Sequence, residues 1–268
     1  MKVNLFLAGF AKSGSSYIYS LLSNQARVSG GLEKEPAFFC FANKKSIDWY
    51  HDFYGRNRYL IDGTVEYSMG TGVCDRVFNY NPEAKIIFVI REPLSRAWSH
   101  YCHRLKMGEE LRTLKEIHHS DLEQDYLVDY SRFKHRIEAW SLIFGPDRVI
   151  VFTLDQIEND QKTLCKRLEK FLQIEVDYDV TGIDRNFSRV PRLIWFARFG
   201  AVVRRMRVID WPMPSFLKIL LRKMNRRLQS LNLMEADNPE PPFWWREKLT
   251  PYLESDISYY NEMVESGK

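Results

Sequence analysis

A loop of small residues after a short apolar run forms the first candidate site. The loop runs from Phe10 to Tyr17, and its central residues are Lys12, Ser13, Gly14, Ser15 and Ser16. Such a loop directs the unpaired N–H groups of the following helix at one point, where the helix dipole and the serine hydroxyls favour an anion. Lys12 precedes the glycine, so the loop departs from the Walker pattern and disfavours an ordinary ATPase or GTPase. The segment predicts a phosphate or sulfate cradle, with an unliganded tight turn as the alternative.

A second candidate anion site follows the most apolar run of the chain, Ala84–Ile90. Arg91 comes directly after this run, and Pro93 suits the first position of a helix, which predicts Arg91 at the carboxyl end of a central strand. Arg96 and Ser99 share one face of that helix, where a guanidinium and a hydroxyl make a strong phosphate pair. Two anion sites at neighbouring strand ends fit a ligand with two separated anionic groups.

The elements that must position these residues alternate along the chain. Apolar runs predict strands at Val3–Gly9, Tyr59–Asp62, Lys85–Ile90 and Arg148–Leu154. Helical spacing predicts helices at Ser15–Ser23, Thr71–Tyr80, Pro93–Lys106, Ser131–Phe144, Gln156–Phe171, Leu193–Met206, Phe216–Leu231 and Trp245–Val264. This alternation is typical of an α/β fold with a central parallel sheet flanked by helices. We expect a single domain over residues 1–268, with a nucleotide-binding core at 1–190 and a helical, basic C-terminal cap at 191–268.

The composition limits the class of protein. The 268 residues are 45% hydrophobic and 28% charged, which is typical of a globular protein. Cys40, Cys74, Cys102 and Cys165 form no CxxC pair, which argues against a zinc ribbon and against a disulfide framework. No charged leader precedes the first apolar run, and no apolar run reaches the length of a membrane-spanning helix. These features predict a cytoplasmic protein that requires no metal.

Positive charge is concentrated in one segment. Between Arg185 and Leu228 there are twelve Lys and Arg residues and a single acidic residue, Asp210. The imbalance predicts an anionic ligand, a membrane surface or nucleic acid nearby, with a solvated helical face as the plain alternative. An apolar stripe from Phe216 to Leu231 lies beside the basic residues. The stripe favours peripheral membrane contact through residues 193–231 over nucleic-acid binding.

The motifs, taken in order, resemble those of the sulfotransferases that use 3′-phosphoadenosine 5′-phosphosulfate (PAPS). FLAGFAKSGSSYIYSLL is similar to the 5′-phosphosulfate loop of the family, and IIFVIREPLSRAWSHY is similar to its 3′-phosphate motif. KEPAFF, residues Lys34–Phe39, resembles the Lys-Glu-x-x-Phe-Phe segment of the heparan and related carbohydrate sulfotransferases. The resemblance covers most of residues 3–190 and is that of a soluble, bacterial-type member. At Asp62–Tyr67 the chain departs from the family, because Val65 replaces a proline and the lysine of some relatives is missing.

The resemblance implies sulfuryl transfer from PAPS to an acceptor hydroxyl by in-line displacement, without a metal. It assigns Lys12 to the bridging oxygen of the donor and Glu35 to the role of general base. His100, His103 and Asp62 are alternative bases. The residues implied in donor binding are Lys12, Ser13, Gly14, Ser15, Ser16, Arg91, Ser99 and Arg189.

Two other interpretations compete with this one. A nucleotide-dependent kinase predicts binding of ATP with Mg²⁺, and a non-enzymatic basic module predicts binding to a membrane surface or nucleic acid. The favoured partner is a hydroxyl-bearing acceptor on a glycan, a lipid-linked compound, a peptide tyrosine or a small natural product. The sequence leaves open the acceptor, the aromatic residue that stacks on adenine, and the oligomeric state.

Overall fold

A computed structural model describes residues 1–40, 45–177, 189–191, 233–235 and 238–266. Five strands form the central sheet: β1 (Leu5–Gly9), β2 (Val28–Gly30), β3 (Tyr59–Asp62), β4 (Lys85–Ile90) and β5 (Val149–Thr153). All pair in parallel, in the order β2-β3-β1-β4-β5. Two further short strands, β6 (Arg189–Pro191) and β7 (Leu233–Glu235), pair with each other in antiparallel.

Helices of the described residues flank this sheet. They are α1 (Ser15–Ser23), α2 (Ile47–His51), α3 (Val73–Tyr80), α4 (Pro93–Lys106), α5 (Leu114–His119), α6 (Tyr126–Asp129), α7 (Lys134–Phe144), α8 (Leu154–Asn159), α9 (Gln161–Leu172) and α10 (Trp244–Ser266). Short 3₁₀ helices cover Val65–Ser68 and Pro146–Arg148. The predicted α/β class with a parallel sheet flanked by helices is confirmed.

The apolar core lies on both faces of the sheet, and β4 shows why. Ile86, Phe88 and Ile90 pack into the core cluster on one face, and Ile87 and Val89 pack into the cluster on the other. All five side chains are fully buried. A strand enclosed on both faces needs a continuous apolar run, which is why β4 is so readily predicted.

Several predicted boundaries are confirmed and others differ. The helix predicted at Gln156–Phe171 is two helices, because Asp160 breaks the pattern and caps α9 by accepting a hydrogen bond from the backbone N of Thr163. The helix predicted to begin at Ser131 begins at Lys134. The sequence did not predict β2, which has only three residues. The helices predicted at Leu193–Met206 and Phe216–Leu231, and with them the basic segment 193–231, lie outside the described residues.

The last helix packs against α4. Trp245, Leu249 and Leu253 of α10 are buried in one cluster with residues of α4, and the indole Nε1 of Trp245 donates to the carbonyl oxygen of Leu94 at 3.1 Å. This packing fixes α4, the helix that carries Ser99. The boundary between core and cap at residue 190 stays a prediction.

Within the described ranges, no helix has both the length and the apolar character needed to cross a bilayer. All four cysteines are free thiols. Burial raises the pKa of Cys40 and of Cys165 to about 11, which makes thiolate chemistry at either unfavourable at neutral pH.

Candidate active site

The sheet order brings the predicted motifs to one edge. β1 lies between β3 and β4, so the loops that follow these three strands leave the sheet side by side. The N–H of Phe10 donates to the carbonyl oxygen of Val89 at 2.9 Å, which ties the loop after β1 to the end of β4. On the other side, the N–H of Gly63 donates to the carbonyl oxygen of Lys34 at 2.9 Å. The KEPAFF segment therefore meets the same edge.

The loop after β1 has the features of an anion cradle. Gly14 is the N-cap residue of α1, and no side chain caps this helix in the described part of the chain. The hydroxyl of Ser13 is fully buried and has no hydrogen-bond partner among the described residues. Lys12 adopts the left-handed backbone region with a φ of 68°. A buried hydroxyl without a partner beside an uncapped helix N-terminus is the arrangement that a phosphate or sulfate oxygen would complete.

Gly14 is required by backbone conformation and by packing. Its φ is +94°, and an added Cβ would lie 2.9 Å from Leu154 Cδ1 of α8. We expect Gly14→Ala to lower the free energy of unfolding by about 2–4 kcal/mol, from left-handed strain and overpacking together. Gly72→Ala is the matched control, because Gly72 also has a positive φ (+67°) but would meet only the flexible end of Arg76. Denaturant unfolding of both variants should show the larger loss for Gly14→Ala; equal losses would contradict the packing argument.

Positive charge converges on this loop. Burial lowers the pKa of Lys12 most, and the charges of Lys106, Arg91 and Arg96 lower it further. Burial also lowers the pKa of Arg91. Cations held this close together repel one another, and an anion bound between them relieves the repulsion. The electrostatics of the site therefore favour an anionic ligand.

Arg91 and Ser99 occupy the positions predicted for the second anion site. Glu92 caps α4 by accepting from the backbone N–H groups of Leu94 and Ser95, and Pro93 opens the helix. Arg91 is half-buried at the end of β4, and Ser99 is buried on α4. Within the described residues, neither side chain forms a hydrogen bond or an ion pair, so both have free donors for a ligand.

Arg96 does not serve as the phosphate ligand that its helical spacing to Ser99 predicted. Its side chain is fully buried, and its Nε donates to Ser131 Oγ at 2.8 Å. Further contacts join its guanidinium to the carbonyl oxygen of Leu127 and, at 3.5 Å, to that of Ala11. Arg96 therefore supports the cradle loop through its contact with Ala11 and is not available to a ligand.

Lys34 joins the cradle to the predicted base. Its Nζ lies 3.1 Å from Ser16 Oγ and 2.9 Å from Glu35 Oε1. The Glu35 side chain is 37% exposed, so an acceptor can reach it. The contact between Lys34 and Ser16 was not predicted from the sequence. Phe38 of the same segment stacks on Tyr50, with ring centroids 4.5 Å apart.

The alternative bases are placed unfavourably. Burial and the neighbouring Arg96 lower the pKa of His100 to about 2. Desolvation of the ring and the charges of Lys12 and Lys106 lower the pKa of His103 to about 4. Asp62 is fully buried, and hydrogen bonds occupy both of its oxygens. Both imidazoles are therefore weak bases, and the Asp62 carboxylate is enclosed, so Glu35 stays the favoured base.

Another carboxylate lies close to Glu35. Desolvation and the charge of Glu35 raise the pKa of Glu66 above its ordinary value.

Arg189 begins β6, and its predicted closure over the donor stays a prediction. Among the described residues, no group of three or more His, Cys, Asp or Glu side chains is arranged to hold a metal ion.

Comparisons with known proteins agree with this architecture. A family model described as "Sulfotransferase family" matches residues 42–178, just over half of the chain, a range that includes Arg91 and Ser99. The chain is 22% identical over 205 residues to a bifunctional heparan sulfate N-deacetylase/N-sulfotransferase of Drosophila melanogaster. It is 26% identical over 197 residues to bifunctional heparan sulfate N-deacetylase/N-sulfotransferase 3 of Homo sapiens. These matches cover 63% and 64% of the chain but only 20% and 22% of the relatives, so the chain spans about a fifth of their length.

A solved structure shares the fold. The crystal structure of a sulfotransferase from Alicyclobacillus acidocaldarius superposes with a TM-score of 0.60 at 21% sequence identity. The superposition covers 80% of this chain and 98% of that one.

Proposed function

Because the chain belongs to the sulfotransferase family, we propose that it transfers a sulfuryl group from PAPS to a hydroxyl group of an acceptor. The observation that carries the proposal is the convergence of two anion sites at neighbouring strand ends, the cradle around Lys12 after β1 and Arg91 with Ser99 after β4. PAPS has two separated anionic groups, the 5′-phosphosulfate and the 3′-phosphate. The two sites match these two groups in charge and in number.

The residues present fit the donor. The N–H groups at the start of α1 and the hydroxyls of Ser13, Ser15 and Ser16 would hold the 5′-phosphosulfate, and the unpartnered Ser13 hydroxyl would gain an acceptor. Arg91 and Ser99 would hold the 3′-phosphate, the group that distinguishes this donor from ADP and ATP. No metal is needed in this scheme, because protein cations and amides supply the positive charge.

When bound, PAPS supplies an activated sulfuryl group and leaves as 3′-phosphoadenosine 5′-phosphate (PAP). Lys12 offsets the negative charge that develops on the leaving nucleotide. Glu35 accepts the proton of the attacking hydroxyl, and Lys34 holds that carboxylate at a fixed distance from the cradle through its contact with Ser16. Positioning and electrostatic stabilisation supply most of the rate, as in phosphoryl transfer.

We propose a glycan or a small natural product as the acceptor. The relatives named above are called N-sulfotransferases of heparan sulfate, which makes an amine the second acceptor group to test. A cytoplasmic location, and membrane contact through residues 193–231, remain predictions from the sequence.

Calorimetric titration with PAP tests the donor site. We expect PAP to bind more tightly than ADP or ATP·Mg²⁺, and Arg91→Ala to weaken PAP binding by about 10- to 100-fold, since charge-assisted hydrogen bonds contribute about 1.5–3 kcal/mol. The variant should bind ADP as the wild type does, because ADP lacks the 3′-phosphate. Arg148→Ala is the charge-matched control, because Arg148 pairs with Glu83 at the surface.

The same titration separates the competing functions. Equal or tighter binding of ATP·Mg²⁺ would favour a kinase over a sulfotransferase. Absence of binding to any of the three nucleotides would contradict the proposed donor site and favour a role centred on the basic segment.

A further inference from the structure

A buried carboxylate lies behind the segment that carries Glu35. Asp62 ends β3, and its side chain is fully enclosed. Its Oδ1 accepts from the N–H and the hydroxyl of Thr64, at 2.9 and 2.6 Å, and its Oδ2 accepts from the hydroxyls of Tyr50 and Tyr67, at 2.6 and 2.8 Å. No cation forms an ion pair with it among the described residues. Four donors are the compensation that a buried carboxylate needs.

Two of these hydroxyls also accept hydrogen bonds from the backbone of the KEPAFF segment. A hydroxyl has one proton, so a hydroxyl that donates to the Asp62 carboxylate must present its lone pairs elsewhere. Thr64 Oγ1 accepts from the N–H of Ala37 at 3.1 Å, and Tyr67 Oη accepts from the N–H of Phe39 at 3.4 Å. Asp62 thus sets the direction in which both hydroxyls donate, and thereby holds two backbone N–H groups of the segment.

Further contacts attach the segment to the same cluster. The ring of Tyr50, whose hydroxyl donates to Asp62, stacks on Phe38 with an interplanar angle of 9°. The N–H of Gly63 holds the carbonyl oxygen of Lys34 at 2.9 Å. The segment is therefore attached at both ends and in the middle, on either side of Glu35.

The backbone of the segment needs such support. Ala37 has a φ of +53°, in the left-handed region. A non-glycine residue pays about 1–2 kcal/mol to adopt this region, so local preference does not select it. Two hydrogen bonds hold this conformation: the Ala37 carbonyl oxygen accepts from the N–H of Cys40 at 3.2 Å, and the Ala37 N–H donates to Thr64, which Asp62 orients in turn.

We propose that Asp62 is a positioning residue for sulfuryl transfer, which sets the place of Glu35 through Thr64 and Tyr67 without touching the reactants. The inference rests on the proposed function. A positioning role explains why the charged side chain of Asp62 is buried, which would otherwise be costly. It replaces the role of alternative base that the sequence predicted for Asp62.

Two variants test the inference. Asp62→Asn keeps the shape but replaces one oxygen by an NH₂ group, a donor that faces groups which also donate. At least one of these groups must then turn its proton away, which disturbs the network that holds Ala37 and Phe39. Tyr67→Phe removes one connection and leaves the carboxylate in place. We expect kcat to fall by about 10- to 100-fold in Asp62→Asn and by a smaller factor in Tyr67→Phe. The Kd of PAP should stay within about twofold of wild type in both, since the donor site lies on other strands.

Tyr80→Phe is the matched control. The Tyr80 hydroxyl accepts from the N–H of Val3 at 2.7 Å, and its ring lies 5.2 Å from that of Phe39. It belongs to the same aromatic core but forms no hydrogen bond with Asp62. Tyr80→Phe should lose stability and keep the kcat of the wild type.

The rate is measured as PAP released from saturating PAPS, with the best acceptor of a glycan and phenol panel or, if none reacts, with water. Titration of PAP-binding sites corrects each rate for the folded fraction. Unchanged kcat per binding site in both variants would overturn the inference, as would an equal fall in Tyr80→Phe. If Asp62→Asn does not fold, Tyr67→Phe decides alone. A wild-type protein that neither binds PAP nor cleaves PAPS would overturn the proposed function itself.

Discussion

Replacement of Lys12 by methionine is expected to lower kcat for sulfuryl transfer by about a hundred- to a thousandfold, the loss typical of removing one preorganised group that stabilises developing charge. Methionine keeps the unbranched stem of the side chain and the same backbone strain at a φ of 68°, so the change is confined to the charge. The rate of PAP release at saturating PAPS measures the effect. PAP affinity should fall as well, because Lys12 also faces the ground-state donor.

The pH dependence of PAP affinity also tests the role of Lys12. Burial and the charges of Lys106 and Arg91 lower the pKa of Lys12. His103 has a pKa of about 4, so it is already neutral in the pH range where Lys12 loses its proton. Lys12 attracts the donor only while it is protonated. PAP affinity should therefore be highest near neutral pH and should fall as the pH rises through the pKa of Lys12, which lies below the ordinary lysine value of 10.5. Cys102, with a pKa raised to about 11, ionises later.

Lys106→Met provides the control for this titration. Lys106 also has a lowered pKa, and its charge is the largest electrostatic cause of the shift at Lys12. Its removal should therefore move the alkaline loss of affinity to higher pH, whereas Lys12→Met should abolish that loss. An identical alkaline limb in the wild type and in Lys12→Met would show that another group controls binding.

The elements that the sequence predicts best are those whose signals are local. The continuous apolar run of β4 and the Pro93 that opens α4 lie within a few residues of one another, and both elements have the predicted bounds. In contrast, β2 has three residues and lies at the edge of the described sheet beside β3, and so short a segment has no periodic pattern that would predict a strand. The break between α8 and α9 depends on one capping residue, Asp160, within a sequence that otherwise has helical spacing.

The candidate site divides in the same way. Lys12 and Arg91 are predicted from local patterns, because each follows an apolar run that forms a strand, whereas Glu35 is predicted only from the resemblance of KEPAFF to the family motif. Arg96 was misjudged because helical spacing tells which residues share a face but not what covers that face. Its partner Ser131 lies 35 positions further along the chain.

The hydrogen-bond partners of Asp62 could not be predicted from the sequence either. Its partner Tyr50 precedes it by 12 residues, and the Ala37 that Thr64 holds precedes Thr64 by 27. Contacts between segments on different loops appear only after the sheet is assembled. Sequence motifs therefore predict which side chains act, and the fold determines what holds them.

Glu35→Gln should lower kcat by about a hundred- to ten-thousandfold, the range for loss of a general base. Glutamine keeps the size of the side chain and a contact for Lys34, but it cannot take the proton of the acceptor. The Kd of PAP should be unchanged, because Glu35 is not a donor ligand in the proposed scheme. Single-turnover release of PAP from limiting PAPS, with enzyme and acceptor in excess, measures the chemical step apart from binding and product release.

Glu66→Gln distinguishes a specific base from the general effect of negative charge. Glu66 is close enough to Glu35 for its pKa to be raised by that charge, so both substitutions remove one carboxylate from the same region. If Glu35 is the base, Glu66→Gln keeps kcat within a few-fold of wild type. A larger fall in Glu66→Gln would transfer the role to Glu66. Because Lys12→Met should weaken PAP binding and Glu35→Gln should not, the two variants together separate charge stabilisation at the donor from proton removal at the acceptor.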